Sequence, residues 1–260
     1  MMGKPHVLLT NDDGIDSLFL RAIAEALEAA FEVFIAAPAV EQSWIGRAMS
    51  RRASVSVEAV AGFPGPAWAV GGTPTDCVNL ALDHLLGDLP DIVVSGINIG
   101  HNASLPLLYS SGTVAGALEG ANWGLPALAV SQQIAPDAFE RVTAGRGALP
   151  PEHEPSLREA AVQSARYALN LCGTGNPDLH VHNLNFPMPL TTETAWVRTV
   201  PARVRLPGLY DPSENGGYLF RFAQGEEAAG GPMTDRRALA TGKTSLSILN
   251  FSALGASKSQ

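Results

Sequence analysis

Asp12 and Asp13 are adjacent carboxylates that follow directly on an apolar run, His6 to Thr10, and are closed by Gly14. Two neighbouring carboxylates are costly to desolvate together unless a cation offsets their charge. Asn-Asp-Asp-Gly is equally good chemistry for a plain surface turn, so the pair alone leaves both readings open. Ser43 and Asn98 each follow a later apolar run. With the two aspartates they offer carboxylate, hydroxyl and amide oxygens. Such a set suits Mg²⁺, Mn²⁺ or Ca²⁺ and lacks the thiolate or imidazole that favours zinc. A second group suits an anion. Ser95 to Asn102 (SGINIGHN) sets small residues around polar ones, which permits close approach. Ser110-Ser111-Gly112-Thr113 stands before a helical pattern, where exposed amides and hydroxyls can hold phosphate oxygens. A simple N-cap by Ser111 or Thr113 accounts for the same residues. Neither GxGxxG nor GxxxxGK[ST] is present in this stretch.

These groups need elements that bring them together. After the first strand, Leu20, Ile23, Ala24, Leu27 and Phe31 recur at helical spacing. Phe31 to Ala36 returns to strand character, and Trp68 to Val70 is a weaker strand. Thr73, Pro74 and Asp76 predict a sharply capped helix with Val78, Ala81, Leu82 and Leu85 on its apolar face. Asp91 to Ser95 and Leu128 to Ser131 predict further strands, with a helix from near Thr113 between them. The alternation predicts a mostly parallel sheet flanked by helices. The polar loops after its strands then share the carboxyl edge, where an active site is expected. Further on, Ser156 and Glu159 read as a capping box opening a helix with Val162, Ala165, Ala168 and Leu169 inward. His180 to Phe186 and Ser245 to Phe251 read as strands. The expected division is a core of 1–190 plus 245–251, an excursion over 191–244 with an oligomerisation hairpin, and a tail over 252–260.

Bulk properties narrow the classes. The chain has 260 residues, enough to bury a large core, with 26 glycines and 19 prolines committed to turns and shaped loops. A net charge of -8 argues against a surface built to hold a nucleic-acid polymer. No run approaches the ~20 apolar residues of a membrane span, and no signal peptide is visible. Two cysteines, Cys77 and Cys172, are too few for a disulfide scaffold and read as buried thiols, in keeping with a cytoplasmic location. His101 reads as a surface or packing histidine. His180 and His182 share a strand face with no third nitrogen or sulfur ligand predicted beside them, and read as non-catalytic.

An ordered set of short motifs is more specific than any one of them. It comprises Asn11-Asp12-Asp13-Gly14, Ala37-Pro38 followed by Ser43, Gly72 to Val78, and Ser95-Gly96-Ile97-Asn98 with Gly100 and Asn102. Ser111-Gly112-Thr113-Val114, Glu119-Gly120 and Leu184-Asn185-Phe186-Pro187 complete it, with a fainter echo in Thr234-Asp235. In this the chain resembles the SurE family, the stationary-phase survival protein E group of 5'/3'-nucleotidases. The resemblance implies a Rossmann-like α/β core with a projecting C-terminal hairpin and tail that build dimers or tetramers. It implies a cytoplasmic phosphoric monoester hydrolase acting on nucleoside monophosphates, with some members also acting on polyphosphate. By position, Asp12, Asp13, Ser43 and Asn98 match the ligands of one divalent cation per subunit, Mg²⁺ or Mn²⁺, with Ca²⁺ able to replace it in a crystal. Asn102, Ser111, Gly112 and Thr113 match the phosphate-side groups.

On this reading Asp12 orients or deprotonates water, Asp13 mainly holds the cation, and Asn98 both ligates and positions. A covalent aspartyl route is disfavoured, because haloacid-dehalogenase-like enzymes place a second Asp where this chain has Gly14. The alternatives are a phosphatase for another small phosphorylated metabolite or polyphosphate, and a non-catalytic metal- or nucleotide-binding protein on the same fold. The chain departs from the pattern in Ile15 to Leu20, where a Pro-Gly pair is usual, and in a loop between Asn102 and Gly112 that is one residue longer. Trp44 and Arg47, beside the serine ligand, are also atypical and bear on the substrate mouth.

Overall fold

Short apolar runs that alternate inward and outward make the frame, in a computed structural model that describes residues 3–253. Eight strands come first: β1 (His6–Thr10), β2 (Glu32–Pro38), β3 (Val57–Ala59), β4 (Ala67–Val70), β5 (Ile92–Ile99), β6 (Ala127–Gln132), β7 (His180–Phe186) and β8 (Trp196–Arg198). Four short ones follow, β9 (Val204–Arg205), β10 (Tyr210–Pro212), β11 (Tyr218–Phe220) and β12 (Glu226–Glu227), and then β13 (Thr244–Asn250). Nine strands share one sheet in the order β3-β4-β2-β1-β5-β6-β7-β13-β8. Its pairs are parallel except β3 with β4 and β7 with β13. The expectation of a mostly parallel sheet is met.

Neighbouring residues of one strand face opposite layers. Leu9, Val94, Val130 and Leu184 belong to the same core as α1 (Leu18–Glu28), whose Phe19, Leu20, Ile23, Ala24 and Leu27 are buried as their spacing predicted. On the other face, Leu8 and Val93 meet α2 (Pro74–Leu80), and Ala129 and Val181 meet Val114, Ala117 and Ala121. Thr73 caps α2 reciprocally: its side chain accepts from the Asp76 amide, and Asp76 accepts from the Thr73 amide at 2.9 Å. Such a box contributes about 1 kcal/mol. The helix runs on into a π-helical turn, Ala81–Leu85.

Four sequence expectations need correction. The third strand does not stop at Ser95 but runs to Ile99, because Gly96 to Ile99 are fully enclosed between neighbouring elements and pairing outweighs their loop-like composition. Two helices carried too weak a local pattern to be read: α3 (Leu105–Ser110), which precedes α4 (Gly112–Asn122), and α5 (Pro136–Ala144). The next helix, α6 (Glu154–Leu171), starts before the expected capping box. Ser156 instead accepts a hydrogen bond from the Leu190 amide at 2.9 Å, tying the helix to the chain after β7. Val162 and Leu169 point outward. The buried stripe of α6 is Leu157, Ala160, Ala161, Ala165, Ala168 and Leu171, whose small residues let α6 lie close to α1.

The stretch 191–244 leaves the sheet and returns to it. β8 joins β13 in parallel, held also by the Trp196 indole donating to Gln163 of α6 at 2.7 Å. Beyond it an arm carries the hairpin β10–β11 and the pair β9–β12. α7 (Asp235–Ala240) then leads into β13. Of the expected tail over 252–260, residues 254–260 lie outside the described residues.

Candidate active site

β1 delivers its polar residues to the carboxyl edge of the sheet. The Asn11 amide donates to the Gly14 carbonyl at 2.9 Å and closes the turn. Asp12 is then fixed from three sides. Its carbonyl accepts from the Gln42 amide at 2.7 Å, which draws in the loop after β2. Its Oδ1 accepts from the Thr113 hydroxyl at 2.7 Å. Gly112 presses on it so closely that a Cβ there would stand 2.7 Å from Asp12 Cβ and 2.9 Å from Asp12 Oδ2. Asp13 turns toward β5, and its Oδ2 accepts from the Ile99 amide at 3.0 Å.

The extra length of β5 decides where Asn98 goes. Ser95 pairs with Ala129 and Asn98 with Ser131, so β5 takes three residues where β6 takes two. That irregularity reverses the side-chain alternation and keeps Asn98 on the same face as Ser95. Gly96 makes the bulge possible: its φ is 137°, and a Cβ would fall 2.3 Å from the Val130 carbonyl. Two polar rows result. Thr10, Ser95 and Asn183 lie in one, under α4, where Gly116 leaves room for Thr10 and Ser95. Asn98, Ser131 and Asn185 lie in the next.

Asn102 joins those rows to α4. Its side chain donates to Ser131 Oγ at 2.9 Å and to Thr113 Oγ1 at 3.2 Å. Its amide donates to Asn185 Oδ1 at 2.8 Å, and its carbonyl accepts from Asn183 at 2.9 Å. Ser131, Asn183 and Asn185 therefore position Asn102, a role the sequence reading did not assign. The signal was available in the period of two from Asn183 to Asn185, on the face opposite His180 and His182. Asp235 was likewise only a faint echo. It is buried and accepts from the amides of Ser104 at 2.8 Å and Ala202 at 2.9 Å, tying the base of the arm to the segment after Asn102.

Asp12, Asn102, Gly112 and Thr113 thus meet directly, with Asp13 and Asn98 alongside them at the end of β5. Ser43 is exposed on the loop that Gln42 anchors to Asp12. The Ser111 hydroxyl accepts from the Val114 amide at 3.0 Å, which is the N-cap arrangement, and it keeps a hydroxyl proton to donate. Arg47 pairs with buried Glu119, which also accepts from Asn79 at 2.9 Å. Trp44 stands edge-on to Phe220 of the arm, with 4.9 Å between ring centroids.

Burial raises the Asp12 carboxyl to about 6, against hydrogen bonds that pull it down. Asp13 is raised well above the usual range, by burial first and the Asp12 charge second, and Glu41 adds in the same direction to both. Among the described residues, neither aspartate has a Lys, Arg or His ion-pair partner, and no group of three His, Cys, Asp or Glu side chains forms a metal cluster. Two uncompensated carboxylates beside hydroxyl and amide oxygens fit a hard divalent cation, for which thiolates and imidazoles are not needed.

The histidines stand apart from this chemistry. Burial and nearby Arg236 lower His101 to about 4, so it is neutral at pH 7, and its Nδ1 has no hydrogen-bond partner. His182 hydrogen-bonds Tyr167 at 2.7 Å and is also lowered to about 4, chiefly by burial. With His180 it lines a cavity of about 290 Å³ at the amino end of β6 and β7, the opposite edge of the sheet. Cys77 and Cys172 are free thiols, the first buried and the second half-buried.

Comparison with known proteins gives the family and the fold. The family model described as Survival protein SurE matches residues 7–205. The chain is 37% identical over 198 residues to the 5'-nucleotidase SurE of Methanosarcina barkeri, covering 74% of this chain and 72% of that protein. It is 38% identical over 200 residues to the 5'-nucleotidase SurE of Methanosarcina mazei, with the same coverage. Among solved structures, the SurE protein from Aquifex aeolicus matches with a TM-score of 0.70 and 28% identity, over 95% of this chain and 93% of that one. The fold is the one shared with that protein, an α/β sheet of mixed direction flanked by helices with a C-terminal extension.

Proposed function

This chain belongs to the SurE family, and from that premise we propose that it is a metal-dependent phosphomonoesterase that hydrolyses nucleoside monophosphates to nucleoside and phosphate. The observation that carries the reading is the adjacent carboxylate pair, Asp12 buried and Asp13 half-buried. It lacks a basic partner among the described residues and lies against the N-terminus of α4 and the Asn102–Thr113 hydrogen bond. Likeness to curated 5'-nucleotidases supports hydrolysis as the reaction class.

Asp12, Asp13, Ser43 and Asn98 would hold one divalent cation, Mg²⁺ or Mn²⁺. When bound, the cation supplies positive charge that offsets the phosphoryl oxygens and favours their attack. The chain's own groups do the rest. Asn102 and Thr113, hydrogen-bonded to each other and through Thr113 to Asp12, would fix the start of α4, whose first-turn amides favour an anion. The Ser111 hydroxyl can donate from the same turn. Asp12, held by Thr113, would orient water and take its proton.

The exposed Tyr210, Tyr218 and Leu219 of the arm support assembly as a homodimer or homotetramer. Free thiols suit a reducing compartment, and we take the working location as the cytoplasm. Among the described residues no helix is long and apolar enough to cross a membrane.

The test is phosphate release from 5'- and 3'-mononucleotides, polyphosphate and sugar phosphates, using chelator-stripped protein with Mg²⁺ or Mn²⁺ restored. Release should require the cation and fall at least ~100-fold in Asp13→Asn. Absence of release above background from folded protein with either cation would refute the reading. A preference for sugar phosphates or polyphosphate would reassign the substrate and keep the centre.

A further inference from the structure

Trp44 sits in a backbone conformation that costs energy to hold. Its φ is 62°, in the left-handed region that bulky side chains rarely adopt. The loop around it is pinned on both sides. Two residues before, the Gln42 amide is bonded to the Asp12 carbonyl at 2.7 Å, and two residues after, the Gly46 amide is bonded to the Ser110 carbonyl at 2.9 Å. Both anchor points belong to the segments that bring Asp12 and the start of α4 to the edge. Two residues of chain span at most ~7 Å, so the Trp44 backbone cannot be far from the phosphate-side groups.

The indole meets the arm. Phe220 is edge-on to it, with centroids 4.9 Å apart and ring planes at 62°, and Phe222 is tilted against it at 5.8 Å. Phe222 also lines a small gap with Arg236 and with His101 and Ser104, close neighbours of Asn102 in the chain. The arm therefore touches the core at Trp44 and again beside the Asn102 segment. Yet the three rings are not packed away. Trp44 keeps 41% of its surface exposed, and Phe220 and Phe222 keep 45% each. Aromatic surface left open beside a phosphate cradle, on a strained and doubly anchored loop, calls for a flat aromatic ligand tied to a phosphate.

We propose that Trp44, with Phe220 and Phe222 of the arm, forms a stacking platform for the base of the mononucleotide and sets the preference for nucleotides over phosphate esters that lack a base. The inference rests on the phosphomonoesterase reading and deepens it. Stacking tolerates any base, because every base presents a π-face. The platform thus selects nucleotides as a class.

Two measurements test it in full-length protein with its cation. The first compares kcat/KM for adenosine 5'-monophosphate with that for glycerol phosphate in wild type, Trp44→Ala, Trp44→Phe and Phe220→Ala. The ratio should fall roughly tenfold in Trp44→Ala, through KM more than kcat, fall less in Phe220→Ala, and recover in Trp44→Phe. An unchanged ratio, or an equal loss on both esters as from a displaced loop, would overturn the platform. The second is calorimetric affinity for adenosine 5'-monophosphate in the presence of Mg²⁺, which reads the platform even if no ester is hydrolysed. A roughly tenfold weaker Kd in Trp44→Ala supports it, and equal affinities in both proteins sink it. Failure of hydrolysis with the affinity difference intact would remove the phosphatase reading alone.

Discussion

Asn102 at the carboxyl edge takes part in five hydrogen bonds, to Thr113, Ser131, Asn183 and twice to Asn185. Phe220, on the arm, belongs to a strand of three exposed residues. The edge is buried and each polar group there constrains the next. The arm is built of strands two or three residues long, with Tyr210, Tyr218 and Leu219 in solvent and an exposed ion pair between Arg221 and Asp211. The difference matches two demands. Transferring a phosphoryl group needs donors fixed before the reaction, since geometry lost by about 1 Å can cost ~10²-fold in rate. Choosing among substrates needs surface that can change without disturbing those donors.

The sharpest way to break the contrast is to disturb the edge by one methyl group. Gly112→Ala places a Cβ against Asp12 Cβ and Oδ2, and within 3.2 Å of the Gln42 carbonyl. Asp12 must shift, and Thr113 with it. Phosphate release should fall ~100-fold while circular dichroism stays native. Activity within about twofold of wild type would show that the edge is softer than its hydrogen bonds indicate.

Next in size is a pH effect confined to the edge. Asp12 binds its proton more tightly in the folded protein, at about 6, than at its ordinary value of 3.8. The folded form therefore holds more protons between these values. Stability of the cation-free protein should fall as pH rises from about 4 to about 6, by roughly 2–3 kcal/mol, with the full penalty above 6. Asp13 acts in the same direction. Urea unfolding in chelator should show this slope, Asp12→Asn should reduce it, and Mg²⁺ at pH 7 should restore the lost stability. A wild-type profile identical to that of Asp12→Asn would contradict the account.

The smallest effect is expected on the arm. Tyr218 is 71% exposed, and Tyr218→Ser should change unfolding free energy by no more than ~0.5 kcal/mol and hydrolysis by less than about twofold. Its readout is mass in solution: light scattering should report a smaller assembly if the arm joins subunits. An unchanged mass would separate the arm from assembly.

The sequence made the strand ends legible wherever the rules are local. Asp12 and Asp13 follow an apolar run, Thr73 to Asp76 spell a reciprocal cap, and Thr113 opens a helix. All three lie where periodicity places them. Asn98 was assigned to the right edge but to a loop. Its true place depends on a bulge that only pairing with β6 creates, and no local pattern encodes a partner's register. Asn183 and Asn185 were read as part of a strand motif, yet their work is to hold an amide some 80 residues earlier in the chain, which composition does not reveal. Val162 and Leu169 failed for a related reason. The helix face that packs was chosen by small alanines fitting against α1, and a hydrophobicity pattern undervalues alanine. Trp44 drew notice as an atypical residue, while its partners Phe220 and Phe222 lie in the stretch with the weakest periodicity of all.

β13 follows every other described strand in the chain, yet it lies inside the sheet, antiparallel to β7 on one side and parallel to β8 on the other. A ribosome that delivers the chain in order must therefore leave the sheet open one strand short of its border. Until residues 244–250 emerge, β7 presents an unpaired edge and β8 has no neighbour in the sheet, the state in which nascent chains most readily pair with one another. Shortening the chain at residue 243 would remove the strand that joins β8 to the rest of the sheet, and such a fragment should accumulate as aggregate. The arrival of β13 then acts as a checkpoint, because the row holding Asn185 gains its outer neighbour, Ser245, only when that strand slides in.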